Sequence, residues 1–291
     1  MEGMRPVHGH VRHRRRRGPH RRLPGPLAAA LLLGAAAAGG AGSAAAVVGG
    51  TPAYQGQYPF MVSLRESGFP YCGGTLVAPQ WVLTAAHCVT GRSLSILTAV
   101  VDQAARNGTA GQSFTVDRTA VDPDYDPNTE NYDAALIHLA GPVVGIGPVT
   151  IDASGAGDTA AALPGAAAVV VGYGSVDPED VNGNGAIAYP AMLQQATVTI
   201  DQDHTCTGVF NGQQEPAART DLMLCAGGDG RHDACVGDSG GPLLIFGGPA
   251  GWTQIGVVSW GAGCAVPGVP GVYTRLSDQQ INAFVSRTIG R

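Results

Sequence analysis

The sequence predicts an all-β fold, either a sandwich or a barrel, with a helix at its C-terminal end. Short runs of apolar and β-branched residues recur along the chain, and Gly, Pro, Asn and Asp separate them. Short strands spaced by turn residues are typical of sandwiches and barrels. The clearest predicted strands are Phe60–Leu64, Trp81–Thr84, Ala134–Leu139, Ala168–Val171, Ala196–Ile200 and Ile255–Ser259.

A long helical period is found only near the C-terminus. Four apolar residues there recur at three- and four-residue spacing, which places them on one face of a helix. They are Ile281, Phe284, Val285 and Ile289. Ser277, followed three residues later by Gln280, fits a capping box at the start of this helix. The Gly-, Ala- and Pro-rich stretch Gly141–Gly165 predicts a soft boundary within the chain.

The first 46 residues differ in composition from the rest. Residues 5–22 contain eight Arg and no acidic residue, and Leu23–Ala46 is uncharged and rich in Ala, Leu and Gly. A basic segment, an apolar segment and an Ala-x-Ala end predict a secretory signal peptide. An uncleaved membrane anchor is the alternative by length, although Gly and Ala make the run weakly hydrophobic. We therefore expect a leader over residues 1–46, exported by the general or the twin-arginine route, and a secreted extracellular protein without membrane attachment.

The charge balance argues against a nucleic-acid partner. The chain has 17 basic residues, all Arg, and 22 acidic ones, for a net charge of -5. Eight of the basic residues and one acidic residue lie in the leader, so the remainder has nine and 21, for a net charge of -12. An acidic surface disfavours nucleic acid or heparin as a partner and fits a soluble secreted protein.

Six cysteines follow the leader, and an even number in an exported chain predicts three disulfides. They are Cys72, Cys88, Cys206, Cys225, Cys235 and Cys264. A zinc site is disfavoured because no closely spaced pair and no His at ligand spacing accompany them. Spacing alone does not choose among the possible pairings.

One loop is similar to part of a calcium site. Asp180–Gly185 matches the first half of an EF-hand loop. Ala191 occupies the position that should supply a bidentate Glu, and no helices are predicted on either side. A polar turn is therefore favoured, and we expect no metal and no cofactor.

The segment Gly237–Gly241, which reads Gly-Asp-Ser-Gly-Gly, is the strongest indication of chemistry. Glycines on both sides of Ser239 allow backbone N–H groups to converge and a substrate chain to approach closely. Such N–H groups can stabilise a developing oxyanion. A serine is a weak nucleophile without a base, and histidine is the usual base near neutral pH. The candidates after the leader are His87, His138, His204 and His232.

Five motifs together carry a family resemblance: Thr84–Cys88, Asn131–Leu136, Asp233–Pro242, Ser259–Gly261 and Pro270–Tyr273. In order and spacing they resemble the trypsin/chymotrypsin family of serine peptidases, in a secreted bacterial form of actinobacterial type. The resemblance extends from Val47 to the terminal helix. It implies two packed antiparallel six-stranded β-barrels with a C-terminal helix, the first over residues 47–152 and the second over residues 153–291.

The resemblance also implies roles for individual residues. Ser239 is expected to be the nucleophile, His87 the general base and Asp133 the carboxylate that orients the imidazole. The N–H groups of Gly237 and Ser239 would form the oxyanion hole. A catalytically silent binding protein is the alternative function, but such relatives usually lack a triad member or an oxyanion glycine. The implied disulfides are Cys72–Cys88, Cys206–Cys225 and Cys235–Cys264.

Substrate preference follows from the same resemblance. Asp233 would form the floor of the primary specificity pocket and favour Arg or Lys before the cleaved bond. The other expected lining residues are Ala234, Ser259, Trp260, Gly261 and Gly271. Ala234 replaces the Ser common in trypsins, which predicts that Arg is preferred over Lys because a guanidinium bonds a carboxylate directly. Glu130 either favours a second basic residue in the substrate or is simply solvated.

Processing is expected to be part of the function. Val47 resembles a mature N-terminus whose amine pairs with Asp238 and orders the site. Ala46 precedes it where trypsin zymogens usually have a basic residue, so cleavage by signal peptidase after Ala46 is favoured. The alternative is an earlier cut, for example after Ala45, that leaves a very short propeptide for another protease. The expected partners are protein or peptide substrates, with protein inhibitors of proteases as further candidates, and the expected state is a monomer.

Overall fold

The computed structural model describes residues 47–152, 162–177, 189–211, 217–247 and 251–290. The leader over residues 1–46 and the calcium-loop-like segment Asp180–Gly185 lie outside these ranges, so both remain predictions. Within the described ranges, none of the helices combines the length and the apolar character needed to cross a bilayer.

The described residues form mainly β-strands. The strands are β1 (Thr51–Pro52), β2 (Met61–Glu66), β3 (Phe69–Ala78), β4 (Trp81–Thr84), β5 (Leu97–Val101), β6 (Gln112–Val121), β7 (Ala135–Leu139), β8 (Thr150–Ile151), β9 (Ala167–Gly172), β10 (Gln194–Thr199), β11 (Met223–Gly227), β12 (Pro242–Phe246), β13 (Trp252–Trp260) and β14 (Pro270–Arg275). The helices are α1 (Asp203–Phe210) and α2 (Gln279–Ile289), and a 3-10 turn spans Leu94–Ile96. Each of the six strands predicted from the sequence is present, with ends shifted by at most a few residues.

The first barrel is closed and has six strands in the order β2-β3-β4-β7-β6-β5. Neighbouring strands are antiparallel throughout, with Met61 opposite Thr75 and Leu83 opposite Leu136. Met61, Leu83 and Leu136 are completely buried, which is expected where apolar side chains point into a small barrel. This part of the predicted fold is confirmed.

The strands β8–β14, together with the early strand β1, form an eight-stranded sheet whose main path is β1-β10-β9-β12-β13-β14-β11. The prediction of a second closed, purely antiparallel six-stranded barrel is therefore met only in part. The strand β8 pairs with β13 in parallel. In the described residues, the end of β10 approaches β11 through an isolated bridge between Ile200 and Ala226 and a 2.9 Å hydrogen bond from Asp201 N to Cys225 O.

The terminal helix α2 begins differently from the prediction. Its N-cap is Asp278, whose carboxylate accepts hydrogen bonds from the backbone N–H groups of Gln280 and Ile281. Ser277 and Gln280 therefore do not form the expected capping box, because the Asp one residue later already satisfies these donors. The Gln280 side chain instead accepts a hydrogen bond from the Tyr132 hydroxyl. The predicted apolar face is confirmed, with Ile281, Phe284 and Val285 buried and Ile289 packed against the same core.

The sequence did not predict the helix α1, which contains His204 in its first turn. Only Cys206 and Phe210 of its eight residues are buried, so it lacks the apolar repeat that identifies a longer helix. The disulfide Cys206–Cys225 fastens it to β11.

Several contacts join the two halves of the chain. The strand β1, which precedes the first barrel, pairs with β10 of the second sheet. The backbone N of Gly73 in β3 donates a 2.7 Å hydrogen bond to Ser239 O, and the Thr75 hydroxyl donates to Gln254 in β13. All described residues belong to one compact unit, Ser43–Arg291. The division into domains 47–152 and 153–291 stays a prediction.

Candidate active site

His87 and Asp133 lie together at the edge of the first barrel. Asp133 comes two residues before β7, and His87 lies in the short turn after β4, the strand that pairs with β7. The Nδ1 atom of His87 is 2.8 Å from Oδ2 of Asp133, and the His87 backbone N donates a 3.0 Å hydrogen bond to Oδ1. Asp133 is completely buried, whereas 28% of the His87 side chain is exposed. The protein interior thus fixes the Asp133 carboxylate, whereas part of the His87 imidazole faces solvent.

Two further hydroxyl groups bind Asp133. Ser259 Oγ donates a 2.6 Å hydrogen bond to Oδ2, and Thr274 Oγ1 donates a 2.8 Å hydrogen bond to the backbone carbonyl. A buried carboxylate is costly unless donors surround it, and these contacts supply them. The sequence placed Ser259 on the wall of the substrate cavity but did not identify its bond to Asp133. No sequence signal identified Thr274.

Glu130 is a further acidic group beside this pair. The side chains of His87, Glu130 and Asp133 each offer an atom within 4.8 Å of the others. Glu130 adopts a left-handed backbone with φ of 54°, and the Tyr125 hydroxyl donates a 3.0 Å hydrogen bond to its Oε2. Burial raises the pKa of the Glu130 carboxyl, and the charge of Asp133 raises it further. The carboxyl is therefore held close to the imidazole and is only partly solvated.

The environment shifts the pKa of His87 upward. Burial of the ring by itself lowers this pKa, since a desolvated imidazolium is unfavourable. The hydrogen bond and charge of Asp133, together with the charge of Glu130, more than offset that effect. The result is an imidazole that readily accepts a proton, which is the property required of a general base.

Two clusters of potential metal ligands occur among the described residues, and neither is a convincing site. One comprises Cys72, His87 and Cys88, but its sulfurs are joined in a disulfide. The other comprises His87, Glu130 and Asp133, in which the Asp133 oxygens already accept hydrogen bonds from His87 and Ser259.

The loop that carries Ser239 packs against the segment that carries His87. Gly240 has φ of 77°, and a Cβ added there would lie 2.2 Å from Thr84 Oγ1 and 3.1 Å from the backbone N of Ala85. Only glycine allows this approach, because a side chain would clash with backbone and with a buried hydroxyl. The glycine-rich motif therefore brings the Ser239 loop close to the residues that immediately precede His87.

The donors at Gly237 and Ser239 are available to a ligand. Gly237 has φ of 96°, and in the described ranges neither its N–H nor that of Ser239 has a hydrogen-bond acceptor. Unpaired N–H groups at a cavity wall are suited to a negatively charged oxygen. The Ser239 hydroxyl itself makes no hydrogen bond to His87 within the described structure, an arrangement that is common before a substrate is bound.

Ser239 also lines a cavity of about 390 Å³. Every residue that the sequence assigned to substrate binding is part of its wall. These residues are Asp233, Ala234, Ser259, Trp260, Gly261 and Gly271. A Cβ added at Gly271 would lie 2.8 Å from Oδ1 of Asp233, so glycine is needed there to leave the carboxylate accessible. The structure thus brings the candidate nucleophile and the candidate specificity residues to one cavity.

Asp233 is a buried carboxylate with one free oxygen. It is 2% exposed, and its Oδ2 accepts a 2.9 Å hydrogen bond from Ala265 N. Its Oδ1 has no hydrogen-bond partner in the described part of the chain. Desolvation raises its pKa to about 7, against the effect of its backbone donors. The cavity therefore holds an acidic group that a ligand cation would stabilise in its ionised form.

Asp238 is buried behind the same loop. Its Oδ1 accepts a 2.7 Å hydrogen bond from Gly174 N, and its Oδ2 accepts a 2.9 Å hydrogen bond from Cys235 N. Complete burial raises its pKa to about 7. Val47 is also completely buried, and Val48 forms a bridge with Asp233. The segment that the sequence predicts to be the mature N-terminus is thus inserted beside the cavity.

The cysteines form the three disulfides that the resemblance implied. Cys72–Cys88 joins β3 to the residue after His87, and Cys235–Cys264 ties the loop before Ser239 to the opposite wall of the cavity. The pair Cys206–Cys225 joins α1 to β11. Two of the three crosslinks therefore restrain the segments that carry His87 and Ser239.

The other histidine candidates lie elsewhere. His138 is 2.7 Å from Asp117 on the outside of the first barrel, and His232 is 2.6 Å from Asp229 in an exposed loop. His204 is exposed in α1. None of the three contacts Asp133, so His87 is the histidine that the structure pairs with a buried carboxylate.

Comparison with known proteins supports one family. The family model described as Trypsin matches residues 47–285. Serine protease 56 of Mus musculus is 39% identical over 235 residues, covering 79% of this chain and 37% of that protein. The Trypsin of Saccharopolyspora erythraea is 35% identical over 244 residues, covering 81% of this chain and 98% of that protein. Transmembrane protease serine 9 of Rattus norvegicus is 35% identical over 249 residues, covering 82% of this chain and 22% of that protein.

The chain thus spans nearly all of the bacterial relative but much less than half of the two rodent proteins. Because rodent and bacterial relatives are similarly close, the comparisons support the family and not the expected bacterial type. The matched region contains the closed barrel, the cavity and the Ser239 loop. The chain belongs to the trypsin family of serine proteases.

Proposed function

We propose that this protein is a secreted serine endopeptidase that cleaves peptide bonds after Arg and, less efficiently, after Lys. The observation that carries the proposal is one cavity lined by both Ser239 and a buried carboxylate with a free oxygen, Asp233. The nearby pair of His87 and Asp133, 2.8 Å apart, supplies the base. Substrates would be proteins or peptides, and protein inhibitors that present an Arg to the cavity would be further partners of a monomeric enzyme.

Acylation would begin at Ser239. Its Oγ would form a bond to the carbonyl carbon of the substrate while its proton passes to Nε2 of His87. The carbonyl oxygen would become an oxyanion that accepts hydrogen bonds from the backbone N–H groups of Gly237 and Ser239. Collapse would break the carbon–nitrogen bond, and His87 would return the proton to the leaving amine. Water, deprotonated by the same imidazole, would then hydrolyse the acyl-enzyme and release the acid.

Asp133 would act through His87 and would not itself exchange a proton with the substrate. Its Oδ2 contacts Nδ1, which fixes the tautomer whose Nε2 is free to accept the serine proton. Its negative charge stabilises the imidazolium that forms in the transition state. Ser259 and Thr274 hold the Asp133 segment so that this contact is maintained.

Selection of Arg is supported by the shape and charge of the cavity. A guanidinium can donate two parallel hydrogen bonds to a carboxylate, and Oδ1 of Asp233 is unpaired in the described structure. The side chain of Lys is shorter than that of Arg, and Ala234 offers no hydroxyl that could accept a hydrogen bond from its ammonium group. The expected order is therefore Arg before Lys. Matched Arg and Lys peptide esters test this directly, and an equal or higher kcat/KM for Lys would contradict it.

Processing between Ala46 and Val47 is supported by the buried position of Val47. Val47 has φ of 56°, a left-handed conformation that is unfavourable for a β-branched residue inside a chain. The φ angle depends on the preceding carbonyl carbon, so cleavage before Val47 would remove this strain. It would also create an ammonium group that could pair with Asp238. A bacterial source remains part of the proposal, supported by the match over 98% of the Saccharopolyspora erythraea trypsin.

A phosphonate label tests the central proposal. An arginine-like diphenyl phosphonate should modify Ser239 in processed protein, identified by peptide mass, and a matched phosphonate with an acidic side chain should not. The variants Ser239→Ala and His87→Ala should not be labelled. Ser286→Ala, a change in α2 away from the cavity, should be labelled at the normal rate. Processed protein that binds benzamidine but is never labelled would instead support a catalytically silent binding protein.

A further inference from the structure

Arg106 is a buried cation outside the groups described so far. It is 9% exposed and lies in the loop of residues 102–111 that joins β5 to β6. Arginine is rarely buried unless its donors are used, because removing a guanidinium from water is costly. Desolvation correspondingly lowers the pKa of Arg106. The position of this side chain therefore requires an explanation that the proposed triad and cavity do not provide.

The backbone around Arg106 is fixed by the second half of the chain. Arg106 N donates a 2.8 Å hydrogen bond to Ala191 O, and Leu193 N donates a 2.6 Å hydrogen bond to Ala104 O. The side chain of Arg65 in β2 donates a 2.8 Å hydrogen bond to the Arg106 carbonyl. The loop thus pairs with the segment that leads into β10, and the start of the Arg106 side chain is held firmly.

The guanidinium of Arg106 joins three separate segments. Its Nη1 donates a 3.2 Å hydrogen bond to Tyr173 O, just after β9, and its Nη2 donates a 3.2 Å hydrogen bond to Pro70 O in β3. Its Cζ lies 3.8 Å from the centroid of the Tyr189 ring, within the range of a cation–π contact. One cation therefore orients a tyrosine ring and the backbone of residue 173.

These two segments form the wall behind Gly237. A Cβ added to Gly237 would lie 3.0 Å from Cε1 of Tyr189 and 3.1 Å from Cα of Gly174. Gly174 follows Tyr173 directly, and its N–H donates to Asp238, the residue after Gly237. The contacts therefore run from Arg106 through Tyr189 and Gly174 to Gly237, the expected oxyanion donor, and to the side chain of Asp238 that follows it.

We propose that Arg106 is a positioning residue for the oxyanion hole, acting through Tyr189 and through Tyr173–Gly174 on the N–H of Gly237. The inference rests on the proposed function, in which that N–H binds the oxyanion. Without the guanidinium the Tyr189 ring and the Tyr173 carbonyl lose their common anchor, so the Gly237 backbone gains freedom. An oxyanion donor is effective only about 2.7–3.1 Å from the oxygen, and small displacements weaken it. The cavity floor at Asp233 is not part of this chain of contacts.

The test compares two ligands with Arg106→Gln. Benzamidine occupies only the cation cavity, whereas a peptide aldehyde ending in argininal also reacts with Ser239, whose proton passes to His87 while the aldehyde oxygen becomes an oxyanion. For Arg106→Gln we expect the inhibition constant of the aldehyde to rise about tenfold and that of benzamidine to change by less than about twofold. With a peptide amide substrate, kcat should fall about tenfold and KM should change by less than about twofold.

Matched variants separate this inference from a general loss of structure. Arg118→Gln removes a guanidinium that lies 5.0 Å from the Trp81 ring centroid on the first barrel, and it should affect neither ligand. Tyr189→Ala should weaken inhibition by the aldehyde but not by benzamidine, as Arg106→Gln does. Tyr189→Phe keeps the ring and should weaken inhibition by the aldehyde less. If Arg106→Gln does not fold, judged by its melting temperature, the two Tyr189 variants carry the test.

The possible outcomes distinguish the inference from the proposed function. The positioning role would be overturned if Arg106→Gln or Tyr189→Ala weakened the binding of aldehyde and benzamidine equally. It would also be overturned if neither ligand bound more weakly. Failure of the unmodified processed enzyme to form a covalent adduct with the aldehyde would instead overturn the proposed function. A double variant Arg106→Gln/Tyr189→Ala should be no weaker towards the aldehyde than either single variant, because both changes break the same chain of contacts.

Discussion

The Ser259 hydroxyl donates a 2.6 Å hydrogen bond to the same oxygen of Asp133 that lies 2.8 Å from Nδ1 of His87. One carboxylate oxygen thus serves a histidine of the first barrel and a serine of β13 in the second sheet. Since Ser259 also lines the cavity, a single residue links the candidate base to the substrate site. The geometry of His87 therefore depends on the packing of the two halves of the chain.

Ser259→Ala should lower activity without abolishing it. The change removes one donor from Asp133 but leaves the His87 backbone N–H and the imidazole in place. A hydrogen bond to a charged group contributes about 1.5–3 kcal/mol, so we expect kcat/KM to fall by about 10- to 150-fold. Steady-state kinetics with an Arg amide substrate measure this, with Ser286→Ala in α2 as the control. An unchanged kcat/KM would show that Ser259 does not contribute to orienting Asp133.

Glu130→Gln should change the pH dependence of the reaction. His87 must be neutral to act as a base, so activity falls as the pH drops through its pKa. The charge of Glu130 is one of the causes that raise this pKa. Removing the charge should therefore lower the His87 pKa and move the acidic limb of kcat/KM against pH to lower pH.

Asp117→Asn is the matched control for this experiment, since it removes an acidic charge that is paired with His138 and not with His87. It should leave the acidic limb in place. A shift of equal size in both variants would indicate an effect of net charge instead of a local contact. If the acidic limb does not move in Glu130→Gln, the Glu130 carboxyl is effectively solvated, as one of the two interpretations from the sequence holds.

Local spacing predicts the strands, whereas the closed barrel and the walls of the cavity follow from the family resemblance that the contiguous motifs carry. Sequence patterns missed α1, whose eight residues contain too few apolar positions for a repeat. They misplaced the start of α2, since Ser277 and Asp278 are both suitable caps and only the structure shows which carboxylate or hydroxyl meets the free N–H groups. Contacts between residues distant in sequence, such as Ser259 with Asp133, have no local signal at all.

Binding of a cation in the cavity should depend on pH through Asp233. Burial raises the pKa of this carboxyl to about 7, and only the ionised form attracts a cation. Affinity for benzamidine should therefore decrease as the pH falls through about 7 and reach a plateau above it. Calorimetry in the His87→Ala background, which removes the histidine titration, measures this. Asp233→Asn should bind weakly at all pH values, and a pH-independent affinity in the parent would contradict the assignment.

Ala234→Ser should reduce the preference for Arg over Lys. A hydroxyl at this position of the cavity wall can accept a hydrogen bond from an ammonium, whereas a guanidinium already reaches the carboxylate in a fork. One hydrogen bond of about 1 kcal/mol would lower the Arg/Lys ratio of kcat/KM about fivefold, mainly by improving Lys. Competition between paired Arg and Lys substrates gives the ratio directly. Ala283→Ser in α2 is the control, and an unchanged ratio in Ala234→Ser would remove Ala234 from the explanation of specificity.

One extra residue before Val47 should inactivate the enzyme. Asp238 is completely buried with a pKa raised to about 7, so at neutral pH it is only partly ionised without a cation. A free ammonium at Val47 would lower this pKa and keep the carboxylate charged, whereas an Ala46–Val47 amide would not. Leaving a buried charge unpaired costs about 3–5 kcal/mol, which corresponds to a loss of at least about 100-fold in the fraction of ordered enzyme.

Two chains released from a removable tag, one beginning at Val47 and the other at Ala46, provide the comparison. The number of active sites per molecule, titrated with the arginine-like phosphonate, should be close to one for the first and at least about 100-fold lower for the second. In Asp238→Asn the extra alanine should make no further difference, since the pair is already absent. Full activity of the chain that begins at Ala46 would show that burial of Val47 stabilises the cavity through its side chain alone, without an ion pair at Asp238.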